Sequence, residues 1–433
     1  MIATGAWFFD MPARTFAGMR ACAIVLLLLS LPPSFMVRAQ VPLDLMLEKL
    51  ERRHLQLQDE QRANTARMDS VKLAIIRRDL RAKGLPRVLP GEEVVEHPGH
   101  MLVYDERHEQ SKWVAHIATP DLITGNLARI DSFLPDPLVK TGTAVTADYW
   151  YSGYDRGHLV PSADMRWNYE ALKATYYYSN VSPQKPELNR GSWAELEDWV
   201  RRYVNYSKRR VFVVTGPVLR EGLPTMQKPN RVNEVSIPEL FYKVIADLDG
   251  EEPKGIAFLQ ANGVNDHPTI SYAVSIDSVE ALTGIDFFAE LPADLQARIE
   301  SQRRPKDWYA EGDPFFGEVE PLKAPLPKGM FNTVQARYHI GKTATICGTV
   351  VSTRKTAKAK AIYLNFDRLH PHQDFYATIW EYNGPNFSYD PETWLVNKTV
   401  CVTGKITLFD DIPRISINNE KEIVLYEEAA KGR

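Results

Sequence analysis

The sequence predicts an α+β chain: a helical N-terminal stretch, then a domain on a mixed β-sheet core, then a small all-β barrel. Three observations carry this. Apolar residues recur at helical spacing over residues 43–83 and again over 190–204. Short apolar runs bounded by polar turns make up much of the remainder, which is the pattern of strands interrupted by helices. A proline-rich stretch, Pro321-Leu322-Lys323-Ala324-Pro325-Leu326-Pro327, separates two regions of different composition and reads as a semi-rigid linker.

Residues 1–39 read as a secretory leader. Arg20 precedes the apolar run Ala23–Leu31, Pro32 and Pro33 break it, and Val37-Arg38-Ala39 offers small residues for cleavage before Gln40. The apolar run is too short for a bilayer crossing of about 20 residues. The expected location is therefore secreted or periplasmic, with no stable membrane association after cleavage. Met19 is the more conventional start for such a leader, which makes residues 1–18 a candidate gene-start artefact.

Residues 40–97 form a helical N-terminal segment in this reading. Leu43, Leu47, Leu50, Leu57, Val71, Ile75 and Leu80 recur among Glu, Arg and Gln until Gly84-Leu85-Pro86 stops the helix. This segment bears no nameable chemistry. Packing on the next domain, pairing with a second chain and spacing all suit it, so a homodimer is compatible with the sequence.

The mixed domain is expected over 98–312, with strands at 101–104, 113–117, 211–214, 242–245 and 271–276. Between the second and third of these, residues 190–204 read as a helix with Trp193, Leu196 and Val200 on one side. After the linker, 313–328, the segment 329–433 has five strand-like runs around 344–351, 362–366, 375–380, 400–406 and 414–417. Five short strands in about a hundred residues fit a small closed barrel. Cys347 and Cys401 fall on strands that would be neighbours there, so a disulfide is sterically allowed.

The formal net charge of -3 excludes a chain-wide basic surface but leaves room for a local basic groove. Chemistry concentrates in Asp155-Arg156-Gly157-His158, followed by Asn180, Asn189 and Glu197. That stretch has no Cys, which closes a zinc-thiolate reading. Cleaving a phosphodiester needs a nucleophilic water, a cation near the non-bridging oxygens and relief of charge on the leaving oxygen. His158 suits proton abstraction near neutral pH, and Gly157 lets the backbone turn or approach a phosphate. Arg156 can contact phosphate through its planar fork, with Arg190 as a second contact. Asp155 suits bracing of the turn or of an arginine better than direct metal ligation. Asn189 lies where a helix begins, so it reads either as an N-cap or as one neutral oxygen ligand to a hard cation. Glu197, eight residues on, either holds metal-bound waters or is a surface carboxylate. Asn180 reads as structural or as holding base and phosphate in register.

With these residues in view, the chain resembles the DNA/RNA non-specific endonucleases with the ββα-metal finger. The matched segments are Tyr154–Met165, Ser179–Gln184 and Asn189-Arg190-Gly191-Ser192-Trp193; Val213–Pro217 and Leu282–Phe288 resemble later family signatures. The resemblance spans roughly residues 98–300. It implies a metal-dependent phosphodiester hydrolase acting on DNA and RNA and leaving 5′-phosphate and 3′-hydroxyl ends. It implies His158 as general base, Asn189 as the single direct Mg²⁺ ligand (Mn²⁺ as a substitute) and Arg156 on the phosphate. It further implies Asn180 as a positioning group and Glu197 as support for metal waters. The alternative is an exported nucleic-acid-binding protein whose nuclease-like domain is inactive; the presence of His158 and Asn189 weighs against it.

The last hundred residues resemble an OB fold, on Gly348-Thr349-Val350-Val351 and Val402-Thr403-Gly404-Lys405-Ile406. Such modules bind single strands by stacking bases on aromatics over a basic groove. Arg354, Lys355, Lys358 and Lys360 are candidate contacts, with Tyr363, Phe366, Tyr376 and Trp380 as stacking candidates or as core.

Overall fold

The computed structural model describes residues 42–226, 232–356 and 360–431. The expected leader and the candidate contact Lys358 lie outside the described residues. The chain divides into two compact units, residues 1–64 and 65–433. In the first, residues 43–64 belong to the helix Leu43–Asp79. Leu43, Leu47, Leu50 and Leu57 are all exposed, so the helical stripe legible in the sequence faces solvent.

The second unit contains two large sheets. The first is built from β1 (Val94–His97), β2 (His100–Asp105), β3 (Gln110–Ala118), β6 (Val211–Pro217), β7 (Leu240–Asp247), β8 (Lys254–Ala261) and β9 (Ala273–Val274), in that spatial order. Every pairing in it is antiparallel. The sheet starts at Val94, ahead of residue 98, because Val94–His97 pair back onto His100–Val103 across the Pro98-Gly99 turn.

Both faces of this sheet are covered, which is why its central strands read as continuous apolar runs rather than alternating ones. One face packs Leu102, Val114, Val213, Phe241 and Ile245 against Trp193, Leu196, Trp199 and Val200 of the helix Trp193–Ser207. The other packs Val103, Trp113, Phe212, Val214 and Val244 against Leu80, Ile276, Val279 and Ile299. Two departures from the sequence reading arise here. Strand β8 was not anticipated. The run 271–276, read as a strand, contributes only Ala273–Val274; Ser275 then accepts a hydrogen bond from the Ser278 amide and starts the helix Ile276–Thr283.

A separate two-stranded pair, β4 (Asp155–His158) and β5 (Val181–Gln184), is antiparallel with His158 opposite Val181 and Gly157 opposite Ser182. The turn Leu188–Ser192 and the helix Trp193–Ser207 follow, completing a strand–strand–helix unit. The chain is α+β, as its sequence predicts.

The second sheet comprises β10 (Met330–Asn332), β11 (Thr343–Thr356), β12 (Ala361–Phe366), β13 (Tyr376–Trp380), β14 (Thr399–Phe409), β15 (Ile412–Ile417) and β16 (Ile423–Leu425). β11 pairs with β14 through Thr343–Thr349 and with β12 through Val350–Thr356, changing partner at a register shift between Val350 and Ser352. Pairings β12–β13, β13–β15 and β15–β14 close a ring of five strands around Ile346, Leu364, Phe366, Ile379, Val402 and Ile415. Cys347 lies opposite Cys401 in the register, and the two form a disulfide. The proline-rich stretch is not free of the barrel: Leu322 and Leu326 pack beside that disulfide and Met330.

Candidate active site

The strand–strand–helix unit opens onto a cleft of about 710 Å³. Asp155, Arg156, His158, Asn189, Arg190 and Glu197 all line it, so residues up to 42 positions apart in sequence meet at one place. Arg129, Phe133 and Arg166 line it as well.

His158 ends β4. Its ring lies 5.0 Å from Tyr176, edge to face, and 5.2 Å from Phe133. Its Nε2 is enclosed and has no hydrogen-bond partner among the described residues. Burial, with repulsion from Arg129 and Arg156, pushes the imidazole down to about 4. The ring is therefore a neutral base near pH 7, with an acceptor lone pair to spare. Gly157 makes the close strand pairing possible: a Cβ there would run into the Gln184 side chain.

Asn189 sits in the irregular turn just ahead of the helix, where Gly191 leaves helical geometry (φ −109°, ψ −113°). Its Nδ2 donates to Asp155 Oδ2 at 2.9 Å, which fixes the amide and turns Oδ1 the other way. Asp155 also accepts two hydrogen bonds from Arg190, at 2.8 and 2.7 Å. Burial raises the Asp155 carboxyl, but Arg190 and Asn189 outweigh it and hold the group below the usual carboxylate range. Arg190, expected on a phosphate, is thus tied to Asp155, although its guanidinium remains 71% exposed. Arg156 stacks on Phe133 at 4.7 Å and, like Arg129, has no carboxylate ion pair among the described residues.

Glu197 comes up from the helix. Burial raises its carboxyl, opposed by the positive charges of Lys243 and Arg201. Lys243 is almost fully enclosed in β7, donates to Thr215 Oγ1 at 2.8 Å and lies 4.9 Å from the Trp193 ring; burial lowers its ammonium. Arg201 in turn donates to Asp164, which also meets His116. Sequence reasoning missed this buried charge network. The readable sign was a lysine inside the apolar strand Phe241-Tyr242-Lys243-Val244-Ile245, on the same face as Phe241 and Ile245.

Asn180 does not line the cleft. It is fully buried; its Oδ1 accepts from the Val160 amide at 2.9 Å, and its Nδ2 donates to the carbonyls of Val160 and Thr175. Its own carbonyl accepts from the Leu159 amide. The whole residue clamps the chain just past His158.

In the barrel, Arg354, Tyr363 and Tyr376 line a pocket of about 560 Å³, with the two tyrosine rings 6.0 Å apart. Lys355 does not line it, since neighbours along a strand point to opposite faces. Phe366 belongs to the barrel core.

With the geometry described, similarity to known proteins can be placed. The model of the DNA/RNA non-specific endonuclease family matches residues 82–294. A nuclease of Nostoc sp. is 34% identical over 216 residues, 47% of this chain and 76% of that protein. Mitochondrial endonuclease G of Homo sapiens is 32% identical over 220 residues, 47% of this chain and 73% of that protein. A mitochondrial nuclease 1 of Schizosaccharomyces pombe is 32% identical over 228 residues, covering 47% and 69%. A crystal structure of the EndoG/EndoGI complex matches 47% of this chain and 89% of that one at 30% identity, with a TM-score of 0.42. The mitochondrial address in the names of the eukaryotic relatives overturns the expectation of a secreted or periplasmic location. With three quarters of the Nostoc nuclease matched at this identity, the chain belongs to the DNA/RNA non-specific endonuclease family and is a nuclease, a hydrolase of phosphodiester bonds.

Proposed function

We propose that the cleft hydrolyses internal phosphodiester bonds of both DNA and RNA with Mg²⁺, leaving 5′-phosphate and 3′-hydroxyl ends. The observation that carries this reading is the partnerless, neutral His158 in a cleft rimmed by arginines and holding a pre-oriented Asn189. The neutral imidazole of His158, whose Nε2 is enclosed, takes a proton through its other ring nitrogen from a water as that water attacks phosphorus; the bond to O3′ breaks, and O3′ takes up a proton from solvent to leave as the 3′-hydroxyl. Arg156 and Arg129 hold the non-bridging oxygens. Asn180, through the backbone after His158, keeps the imidazole in register. No step calls on a ribose 2′-hydroxyl, so both sugars are substrates.

The donor set fits one hard divalent cation. Asn189 offers a neutral oxygen turned away from Asp155, Glu197 lines the same cleft, and no three His, Cys, Asp or Glu ligand atoms converge there among the described residues. When bound, Mg²⁺ supplies positive charge to the phosphate and the leaving oxygen, with Mn²⁺ as a substitute. Burial pushes the Glu197 carboxyl up against the opposing charges of Lys243 and Arg201, and its place in the cleft would let it hold waters of the bound ion.

The C-terminal barrel is, in the same proposal, an OB-like module that binds single strands, with Arg354 on the backbone and Tyr363 and Tyr376 under the bases. The connectivity of the five-strand ring supports that reading. Homodimerisation is a further proposal, and light scattering of the full chain decides it.

The test incubates the purified protein with supercoiled plasmid and with ribosomal RNA, in Mg²⁺ or in EDTA, beside His158→Ala. Both substrates are expected to be lost only with Mg²⁺, and His158→Ala is expected to be slower by about 10²–10⁴-fold. Wild-type turnover in the mutant would remove His158 as base. Tight binding without cleavage by the unaltered protein would favour the inactive binder.

A further inference from the structure

On the opposite face of the main sheet from the cleft, two helices bring three acids together. Asp277 and Glu280 belong to Ile276–Thr283, and Glu300 ends Ala293–Glu300. Their helices pack through Ile276, Val279 and Ile299 into the core on that face, whereas the catalytic helix packs on the other. One carboxylate oxygen from each of the three lies within 4.8 Å of the others.

Like charges so close repel, and this cluster has little to offset them. Glu300 is only 6% exposed, and its Oε1 is enclosed with no hydrogen-bond partner among the described residues. It is the last residue of its helix, where the peptide dipoles already present negative charge. No lysine or arginine pairs with any of the three among the described residues. The nearby Asp286 is already taken, by Arg87 at 2.6 Å and Gln296 at 3.0 Å. Glu280 uses Oε1 to accept from the Phe287 amide at 2.8 Å, which fixes its carboxylate in place. Among the described residues Gln296 is the one donor that reaches Glu300, and it leaves Oε1 bare; a buried carboxylate so placed beside two more calls for a positive charge.

We propose that Asp277, Glu280 and Glu300 bind a divalent cation of the Ca²⁺ type, pinning the helix Ile276–Thr283 to the helix Ala293–Glu300. An all-oxygen, all-anionic donor set selects hard cations over zinc or copper. Ca²⁺ takes 6–8 oxygens in flexible geometry, so three carboxylates, some bidentate, leave places for water. Asp277 is exposed, which gives the ion its route in and the waters their place. The role is structural: the cation ties two short helices over the sheet face remote from the chemistry.

The full chain is tested by Ca²⁺ titration calorimetry and by thermal unfolding with and without Ca²⁺. Four proteins are compared: unaltered, Glu300→Gln, Asp277→Asn and Asn189→Ala. The expected result is a Ca²⁺ site retained in Asn189→Ala and weakened at least tenfold in both carboxylate variants. Ca²⁺ should raise the unfolding temperature of the unaltered protein by several degrees and leave Glu300→Gln unmoved. Nuclease activity in saturating Mg²⁺ should stay unchanged in Glu300→Gln and Asp277→Asn. Equal Ca²⁺ titrations in the unaltered protein and in Asp277→Asn, whose exposed position makes a folding failure unexpected, would overturn the proposal. So would loss of all Ca²⁺ binding in Asn189→Ala, which would assign it to the cleft. Neither outcome touches the assignment of His158, so this inference and the proposed function fail separately.

Discussion

The proton affinity of His158 is set by what surrounds the ring rather than by any hydrogen-bond partner of Nε2. Burial is the larger influence and the guanidiniums of Arg129 and Arg156 the smaller, and both push the same way, to about 4 from an ordinary 6.5. The sign has two consequences. The proposed base is unprotonated above about pH 4, so the acid limb of cleavage is expected well below that of an ordinary histidine. Stability follows the same depression: the unfolded chain takes up a proton that the fold resists, so stability is lost as pH falls from about 6.5 toward 4. Replacing Arg129 with Gln removes one of the two repelling charges while leaving burial intact. The acid limb of kcat/KM on plasmid is then expected to move up by a fraction of a unit. A limb that stays in place would show that Arg129 does not act on the base electrostatically.

At the scale of elements, the site depends on a short strand pair that the sequence hardly advertises. β4 and β5 have four residues each, and Gly157 and Pro183 are poor strand formers. What makes them strands is tertiary: Asn180 clamps the segment after His158, and Gly157 lets Gln184 lie across its Cα. Gln184 is fully buried, so it cannot swing aside for a new methyl group. Gly157→Ala is therefore expected to cost about 1–3 kcal/mol by overpacking and to lower turnover by displacing His158. Urea unfolding and plasmid cleavage read the two effects; wild-type values in both would mean the strand pair has slack. Much else was legible. The strands at 211–214 and 242–245 stood out because both faces of their sheet are buried, and Asp155, Arg156, His158, Asn189 and Glu197 do meet in one cleft. The misses have local causes. At 271–276 the β-like alternation was overridden by a Ser275 cap, and β8 was obscured by Gly255 near its start. The role of Lys243 was hidden because its partner Glu197 is distant in sequence.

Across the whole molecule, one chain joins the cleft proposed for the chemistry to a barrel with an aromatic-lined pocket of its own. Family membership rests on residues 82–294, so the barrel's part in activity has to be argued from its own surface. The pocket there combines one cation with two stacking surfaces: Arg354 pairs in register with Tyr363, and Tyr363 stands 6.0 Å from Tyr376 across the β12–β13 pair. Tyr363 is half-buried in the wall, whereas Tyr376 is mostly enclosed, so Tyr363 is the substitution that spares the core. Stacking one base on an aromatic is worth about 1–3 kcal/mol, and each phosphate contact adds a salt-dependent increment. Combining Arg354→Glu with Tyr363→Ala should then raise KM on single-stranded DNA about tenfold or more, with kcat unchanged and the salt dependence of KM reduced. His158 lies in the separate β4–β5 pair and not in the barrel sheet, so a fall in kcat at constant KM would contradict a binding role. An unchanged KM on single-stranded DNA and on RNA would make the barrel a structural partner of the nuclease domain, with its tyrosines serving the wall of the pocket alone.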